Sequence, residues 1–440
     1  MRTFTILWSG QMVSAIGTAM TQFALTIWAW QLTQEATAIA LISFFFQLPQ
    51  ILIALFAGLV VDRFNRKYLM MFSDTSVAFC TLIIGVLYAT HNLHIWHLYG
   101  LAAAYGTFGQ VQTLAYSASI ALMVPKQHYT RASSMASLVQ YSSAILAPAL
   151  VGSLYPAIGL MGIILIDLMT FTAGIGTVWR VEIPQPHSVD TTSETDKLDS
   201  QTVWQQLSWG IQYILCRPSL LAMTVVFCAF LFTHHMGEAI YQPLILARTD
   251  GNVQVLGSVV AASGVGGVMG ALSLTVLGGF RRKVRGMLIG FIGVGIGELV
   301  LGLSQTPTVW MGAQLFAAFN IPVAFGSSYA VWYAKVEPEV QGRVLAAAHT
   351  VGLMTGATAS LIAGMLADQV FEPIMNSQNF LSLIVAPIVG TGSGAGMALL
   401  YIITTIGMIL VGVIGYTFST LRNAEDLLPD HDQQVQQFSD

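Results

Sequence analysis

The sequence predicts an all-α membrane protein, with twelve transmembrane helices in two six-helix halves. First, the 440-residue chain is 55% hydrophobic and only 9% charged, whereas soluble domains carry about 25% charged residues. Second, its apolar residues fall into twelve long stretches, each close to the roughly 20 residues that a helix needs to cross a bilayer. Third, the basic residues between these stretches are distributed very unevenly. We therefore expect a multi-pass protein embedded in a lipid bilayer.

The first six stretches run near 6–30, 39–61, 68–90, 97–123, 132–156 and 159–181, and the second six near 219–246, 255–277, 287–305, 309–334, 344–368 and 396–419. Twelve spans place alternate loops on opposite sides of the membrane. Of the 17 Lys and Arg residues, all except Arg248 then fall on one side. Because Lys and Arg collect in cytoplasmic loops, we expect a protein of the cell (inner) membrane with both termini in the cytoplasm.

The composition divides the chain into four segments. Residues 1–181 form the N-terminal six-helix half and residues 219–421 the C-terminal half. Residues 182–218 form a cytoplasmic linker, which is polar and acidic in its first part, and residues 422–440 form a cytoplasmic tail. Late in the linker, apolar residues at helical spacing predict a short amphipathic helix on the cytoplasmic face; they are Trp204, Leu207, Ile211, Ile214 and Leu215.

A compact, strongly charged loop separates the second and third stretches. It reads Gly58-Leu-Val-Val-Asp62-Arg63-Phe-Asn65-Arg66-Lys67, and we refer to residues 58–67 as the charged loop. Asn65 lies in this loop, and asparagine is one of the few residues besides glycine that tolerate a left-handed turn. Residues 278–285 of the second half keep the glycine and the basic cluster but lack the aspartate. Weak similarity between parallel halves is typical of secondary transporters.

The charged loop resembles the signature Gly-x-x-x-Asp-Arg-x-Gly-Arg-Arg/Lys of the major facilitator superfamily of transporters. It departs from that signature at Asn65, where glycine is usual. The closer resemblance is to the drug and siderophore exporters of the superfamily, of the macrolide-efflux and enterobactin-exporter type. The residues that carry it, besides the charged loop, are Gly10-Gln11, Ser14, Gly17, Asp74, the segment from Pro338 to Arg343, and the tail Glu425-Asp-Leu-Leu-Pro-Asp430. This resemblance implies the fold of the superfamily and drug:proton antiport.

The resemblance also implies a gating network. In the superfamily, the corresponding network latches the two halves in the outward-facing state. The matching residues here are Gly58, Asp62, Arg63, Arg66, Lys67, Asp74, Arg131 and Arg343. The alternative is that these cationic loops only hold the chain in its topology.

A second motif lies in the fifth stretch. Pro148 and Gly152 partly match the exporters' Gly-Pro-x-x-Gly-Gly pattern, while Ala147 and Val151 replace two of its glycines. Proline and glycine at this place are expected to allow a helix bend and close helix contact. The superfamily's arginine in the fourth stretch has no counterpart, since residues 105–110 are uncharged. The proton relay that depends on this arginine is therefore not carried over.

Carboxylates inside the apolar stretches are candidates for proton binding. A carboxylate at the bilayer centre costs about 2.5–3.5 kcal/mol on insertion scales, so it is retained where it faces a cavity or a partner. Glu238 is the leading candidate, because His234 lies four residues earlier on the same helix face and such a pair exchanges protons near neutral pH. A structural hydrogen-bonded pair is the alternative. Asp167 is a further candidate for proton or substrate binding, with a buried hydrogen bond to neighbouring helices as the alternative. Glu298 is another candidate, but the resemblance implies that its stretch lies at the periphery of the fold.

Isolated amides in the apolar stretches predict a cavity. Gln11, Gln22 and Gln110 are expected to be among the few hydrogen-bonding groups of an otherwise apolar cavity, which would suit bulky amphipathic molecules. Interhelical packing is the alternative for each of them.

The sequence also favours some function classes over others. It contains no Gly-x(4)-Gly-Lys-Ser/Thr loop, no evident nucleophile and base, and no metal-ligand set, so we expect no cofactor, no metal, no nucleic-acid partner and no enzymatic activity. We expect a monomer that exports hydrophobic drugs or secondary metabolites by proton antiport with alternating access. A symporter that imports a small metabolite and a non-transporting receptor or scaffold on the same fold are the alternatives.

Overall fold

The computed structural model describes residues 2–63, 65–125, 128–181, 203–377 and 380–418, and at residues 54–63 and several other helical positions, Arg131 among them, it describes the backbone alone. The first part of the chain forms α1 (Arg2–Thr33), α2 (Ala36–Arg63), α3 (Arg66–Ala89), α4 (Ile95–Met123) and α5 (Tyr129–Arg180). The remainder forms α6 (Val203–Leu215), α7 (Pro218–Arg248), α8 (Val253–Leu277), α9 (Lys283–Leu303), α10 (Pro307–Lys335), α11 (Pro338–Leu366), a π-helical turn (Ala367–Phe371), α12 (Glu372–Asn376), α13 (Phe380–Val389) and α14 (Ala395–Thr417). No strand occurs in the described ranges, which confirms the all-α prediction.

Ten helices in the described part of the chain are long and apolar enough to cross a membrane. One of them, α5, contains two predicted stretches, which are separated at Gly159 by a non-helical backbone with φ 62° and ψ −171°. Glycine tolerates this positive φ because it has no Cβ. Helix α4 is not among the ten, although its 29 residues exceed the length needed. With α5 counted twice and α4 added, all twelve predicted stretches lie on helices.

The chain forms two compact units. The first unit comprises residues 1–193 with 245–261, and the second comprises residues 194–244 with 262–440. The end of α7 and the beginning of α8 therefore belong to the first unit. The predicted segment boundaries stay predictions, and most of the linker and the whole tail lie outside the described residues.

In the first unit, α1 packs along α5 and α2 packs along α4. A Cβ added at Gly17 of α1 would overlap the hydroxyl of Thr170 and lie 3.2 Å from the Asp167 Cα. The absence of a side chain at Gly17 thus lets α1 approach the second part of α5. This approach brings the neighbouring Thr18 beside Asp167.

In the second unit, α9 packs against α10 and α14. The rings of Phe230 on α7 and Phe291 on α9 stack with centroids 3.9 Å apart, and neither side chain is exposed. A stacked aromatic pair contributes about 0.5–1.5 kcal/mol beyond the burial of its area. This contact holds α7 and α9 together one turn away from His234.

The helix predicted in the linker is present as α6. Tyr213 and Ile214 are buried, whereas Ile211 and Leu215 are 36% and 56% exposed. The helix packs on α11, where a Cβ added at Gly210 would lie 2.7 Å from the Arg343 carbonyl oxygen. Gly210 thus lies on the face that packs on α11, and the position of α6 on the cytoplasmic face of the membrane stays a prediction.

Candidate functional site

The first unit contains a cavity of about 530 Å³ between α1, α3, α4 and α5. This volume lies within the roughly 300–1,000 Å³ that is typical of small-molecule sites. More than half of the lining residues carry an amide, a hydroxyl or a carboxylate; they are Gln11, Ser14, Thr18, Gln22, Asp74, Gln112, Thr113, Tyr116, Ser117, Ser137, Gln140, Ser143 and Asp167. The cavity is therefore richer in hydrogen-bonding groups than the sequence led us to expect. Gln11 and Gln22 are among its lining residues, whereas Gln110 is not.

Asp167 lies in the cavity wall and is only 3% exposed. Its Oδ1 accepts a hydrogen bond from Thr18 Oγ1 at 3.2 Å, and its Oδ2 accepts one from Thr81 Oγ1 at 3.1 Å. The Thr81 hydroxyl in turn is hydrogen-bonded to the hydroxyl of Tyr105. Because these donors are neutral hydroxyls, Asp167 can gain or lose a proton without breaking an ion pair with any of them.

Asp74 also lines the cavity. Its Oδ2 accepts a hydrogen bond from Gln11 Nε2 at 3.0 Å, and Gln11 Oε1 accepts one from Gln112 Nε2 at 2.8 Å. This chain of side chains joins α3, α1 and α4 across the cavity wall. We expected Asp74 to belong with the charged loop, but its described hydrogen bond is with Gln11.

The end of the charged loop is shaped by Asn65. Asn65 has φ −62° and ψ 118°, and its side chain accepts hydrogen bonds from the backbone N–H groups of Lys67 and Tyr68. Asn65 thus acts as the N-cap of α3 in an extended conformation, and the left-handed turn that asparagine tolerates is not used here.

The two described basic side chains of the charged loop donate to backbone carbonyls. Arg66 Nη1 donates to the Ala118 carbonyl at 2.9 Å, and Lys67 Nζ donates to the Trp179 carbonyl at 2.9 Å. The second contact places a positive charge at the C-terminal end of α5, where the helix dipole favours it. Gly58 lies in α2, and the side chains of Asp62, Arg63 and Arg131 lie outside the described part of the structure. The gating network therefore stays a prediction.

Arg343 lies at the beginning of α11, beneath α6. Its guanidinium carbon lies 5.9 Å from the centroid of the Trp209 ring, and Arg217 lies 3.5 Å from that of Tyr213. Burial raises the pKa of the Tyr213 hydroxyl, although the Arg217 charge opposes this effect. Among the described residues, the aromatic ring that Arg343 approaches is thus that of Trp209 on α6.

Pro148 and Gly152 lie where α5 meets α8. The helix continues through Pro148, and the kink comes later, at Gly159. Gly152 faces Gly257 of α8, which belongs to the same unit. The structure thus places the motif at a close helix contact.

His234 and Glu238 do not pair with each other. Instead, His234 Nδ1 lies 3.2 Å from Glu298 Oε1 on α9, and His235 Nδ1 lies 2.9 Å from Glu238 Oε2 on the same helix. The Glu238 side chain is 56% exposed, whereas that of Glu298 is only 5% exposed. Glu298 lies on a stretch that the resemblance places at the periphery of the fold, and its side chain is buried beside His234. The two residues are 64 positions apart in the chain, so their pairing left no sequence signal.

Comparison with known proteins agrees with this architecture. Residues 7–279 match the family model of the Major Facilitator Superfamily. The chain is 23% identical to macrolide efflux protein A of Streptococcus pyogenes over 370 residues, which cover 83% of this chain and 90% of that protein. It is 25% identical to the MFS-type transporter YfiS of Bacillus subtilis over 375 residues, which cover 82% of this chain and 85% of that protein.

Solved structures show the same fold. A bacterial homologue of the iron transporter ferroportin in an inward-facing state superposes with a TM-score of 0.68 at 13% identity, covering 94% of this chain and 97% of that one. A bacterial homologue of the lysosomal transporter Spinster superposes with a TM-score of 0.64 at 15% identity, covering 97% of this chain and 96% of that one. The family model, which covers more than half of the sequence, identifies the chain as a member of the major facilitator superfamily of transporters.

Proposed function

We propose that this transporter exports amphipathic compounds of the macrolide type by proton antiport with alternating access. The main observation behind this proposal is Asp167, a buried carboxylate in the wall of a cavity of substrate size, with hydroxyl donors on both oxygens. The relatives named macrolide efflux proteins support the substrate class and the direction of transport. The amides and hydroxyls of the cavity suit a substrate with several oxygen atoms on an apolar frame.

In this mechanism, a proton and a basic substrate compete for Asp167. An ionised Asp167 binds the ammonium group of the substrate when the cavity faces the cytoplasm. A proton entering from outside neutralises Asp167, which removes the charge attraction and releases the substrate. Thr18 and Thr81 hold the carboxylate in position in both states. The proton later leaves to the cytoplasm, which restores the substrate-binding form.

Inverted membrane vesicles with an imposed pH gradient test this proposal, with radiolabelled erythromycin as the probe. We expect uptake that collapses when the gradient is dissipated, and an Asp167→Asn variant without gradient-driven uptake. Asp250→Asn is the matched control, because Asp250 is exposed in a turn with φ 50°, a conformation that asparagine accepts. Erythromycin uptake that is independent of the gradient would refute the coupling, and no uptake at all would refute the substrate class.

We also propose that the protein resides in the cell membrane with both termini in the cytoplasm, and that Asp62 gates the exchange of the two states. The repeat of the charged loop at residues 278–285 lacks an aspartate, so Asp62 has no counterpart to replace it. Asp62→Asn should therefore reduce uptake more than Arg282→Gln does. If Asp62→Asn takes up substrate as fast as the unmodified protein, the charged loop serves only to hold the chain in its topology.

A further inference from the structure

The second unit contains a row of four titratable side chains, in which two neighbouring histidines lie between two carboxylates. Glu238 Oε2 lies 2.9 Å from His235 Nδ1, the rings of His235 and His234 have centroids 5.7 Å apart, and His234 Nδ1 lies 3.2 Å from Glu298 Oε1. The exposed fractions of these side chains fall steadily along the row, from 56% at Glu238 to 26%, 13% and finally 5% at Glu298. The row thus leads from an exposed carboxylate to a buried one.

We infer that this row conducts protons from the surface of α7 to a buried proton-binding site shared by His234 and Glu298. The inference rests on the proposed proton coupling and adds a second proton site to it. It differs from the sequence-based expectation, in which His234 and Glu238 formed the site themselves.

The inner end of the row is built to hold a proton. Glu298 Oε2 is buried without a hydrogen-bond partner among the described residues, and the His234 ring stacks on Phe230 with centroids 5.6 Å apart. An ionised carboxylate in such surroundings costs several kcal/mol unless a partner compensates its charge. One proton, shared between His234 and Glu298, supplies this compensation.

The other polar groups that the structure describes around this site are hydroxyls. Tyr241 of α7 and Tyr401 of α14 lie near Glu298. A Cβ added at Gly237 would lie 3.2 Å from Glu298 Oε2 and 3.6 Å from the Thr404 hydroxyl. These hydroxyls stay neutral at physiological pH, so the proton that the site holds belongs to His234 and Glu298.

The outer end supplies the path. An imidazole ring takes up a proton at one nitrogen and releases another from its second nitrogen. Each histidine of the row uses Nδ1 for its carboxylate, which leaves Nε2 for transfer between the rings. A proton that the exposed Glu238 takes up enters His235 at Nδ1. Another leaves His235 from Nε2 and reaches His234 through a bridging water molecule, since the two rings are 5.7 Å apart. His234 then delivers one proton to Glu298. Charge and proton number balance at each step.

Infrared spectroscopy of the purified full-length protein during a pH titration, without substrate, tests the buried site. We expect one buried carboxylic acid signal to be absent in Glu298→Gln, an isosteric variant, while the signal of the other buried carboxylate, Asp167, remains. Both signals should persist in the control Glu337→Gln. His234→Gln should alter the Glu298 signal, which provides a second variant if Glu298→Gln does not fold. Identical spectra for folded Glu298→Gln and the unmodified protein would overturn the inference.

A pH-jump experiment with the same signal tests the path. Glu238→Gln should fill the buried site to the same final level but about 100-fold more slowly, the lower range of what a positioned proton-transferring side chain contributes. If the buried site of Glu238→Gln takes up its proton at the same rate as that of the unmodified protein, the proposed path through Glu238 is overturned. Because no substrate is present, a failure here is separate from a failure of gradient-driven uptake in vesicles, which would instead refute the proposed function.

Discussion

Gly257 of α8 is in direct backbone contact with Gly152 of α5. A Cβ added at Gly257 would lie 2.9 Å from the Gly152 Cα and 2.5 Å from the Pro148 carbonyl oxygen. Without a hydrophobic driving force between helices in lipid, close packing of small residues is what holds membrane helices together. The motif of Pro148 and Gly152 therefore provides a surface on which α8 packs, rather than a bend in α5.

This contact predicts a large effect of a single methyl group. Gly257→Ala should lower the free energy of unfolding by about 1–3 kcal/mol, the usual cost of overpacking. Gly267→Ala, on the same helix, is the matched control, because no atom lies within 4 Å of a Cβ added there. Thermal unfolding of the purified variants in detergent measures the difference, and equal midpoints would contradict a backbone contact between α5 and α8.

The positions of the helices follow from the sequence because each span needs a long apolar stretch, whatever it packs against. The interruption at Gly159 is also evident, because the sixth predicted stretch begins at this residue. The faces of the helices are not evident. A span surrounded by lipid and other helices is apolar all round, so its sequence does not reveal which side meets a neighbour.

This loss of facing information explains why two expectations about the site differ from the structure. Successive residues of a helix point about 100° apart, so Gln112 faces the cavity while Gln110, two residues earlier, does not line it. Likewise, His234 is directed to Glu298 of α9, and His235 takes the place expected for His234 beside Glu238. The residue types of the site could be predicted, but their pairing depends on contacts between distant segments.

The cap of α3 gives a prediction about the charged loop. Asn65→Ala should lower stability by about 1 kcal/mol, the usual cost of losing an N-cap, whereas Asn65→Asp should retain the hydrogen bonds to the first turn of α3. Hydrogen exchange at residues 67–70 measures this directly, since the first turn should open more often in the alanine variant. Equal exchange in both variants would contradict the capping role.

The contact of α6 with α11 predicts how the linker is fixed. Gly210→Ala should detach α6, because its Cβ would lie 2.7 Å from the Arg343 carbonyl oxygen and 2.8 Å from the Ala347 Cβ. Ser208→Ala is the control, since Ser208 is exposed on the same helix. Faster hydrogen exchange across residues 203–215 is expected in the glycine variant alone. If hydrogen exchange in both variants equals that of the unmodified protein, α11 accommodates the methyl group. Gly210 then does not determine how α6 packs on α11.

The hydroxyls around Asp167 predict a graded effect on export. Thr81→Val removes the donor to Asp167 Oδ2, and a hydrogen bond to a charged group contributes about 1.5–3 kcal/mol. Gradient-driven uptake at low substrate concentration should therefore fall by roughly 10- to 100-fold, while Thr81→Ser, which keeps the hydroxyl, should restore most of it. Thr113→Val is the control within the same cavity, because the Thr113 hydroxyl donates to the Gly109 carbonyl of its own helix. Equal losses in the two valine variants would show that cavity polarity, and not the support of Asp167, limits transport.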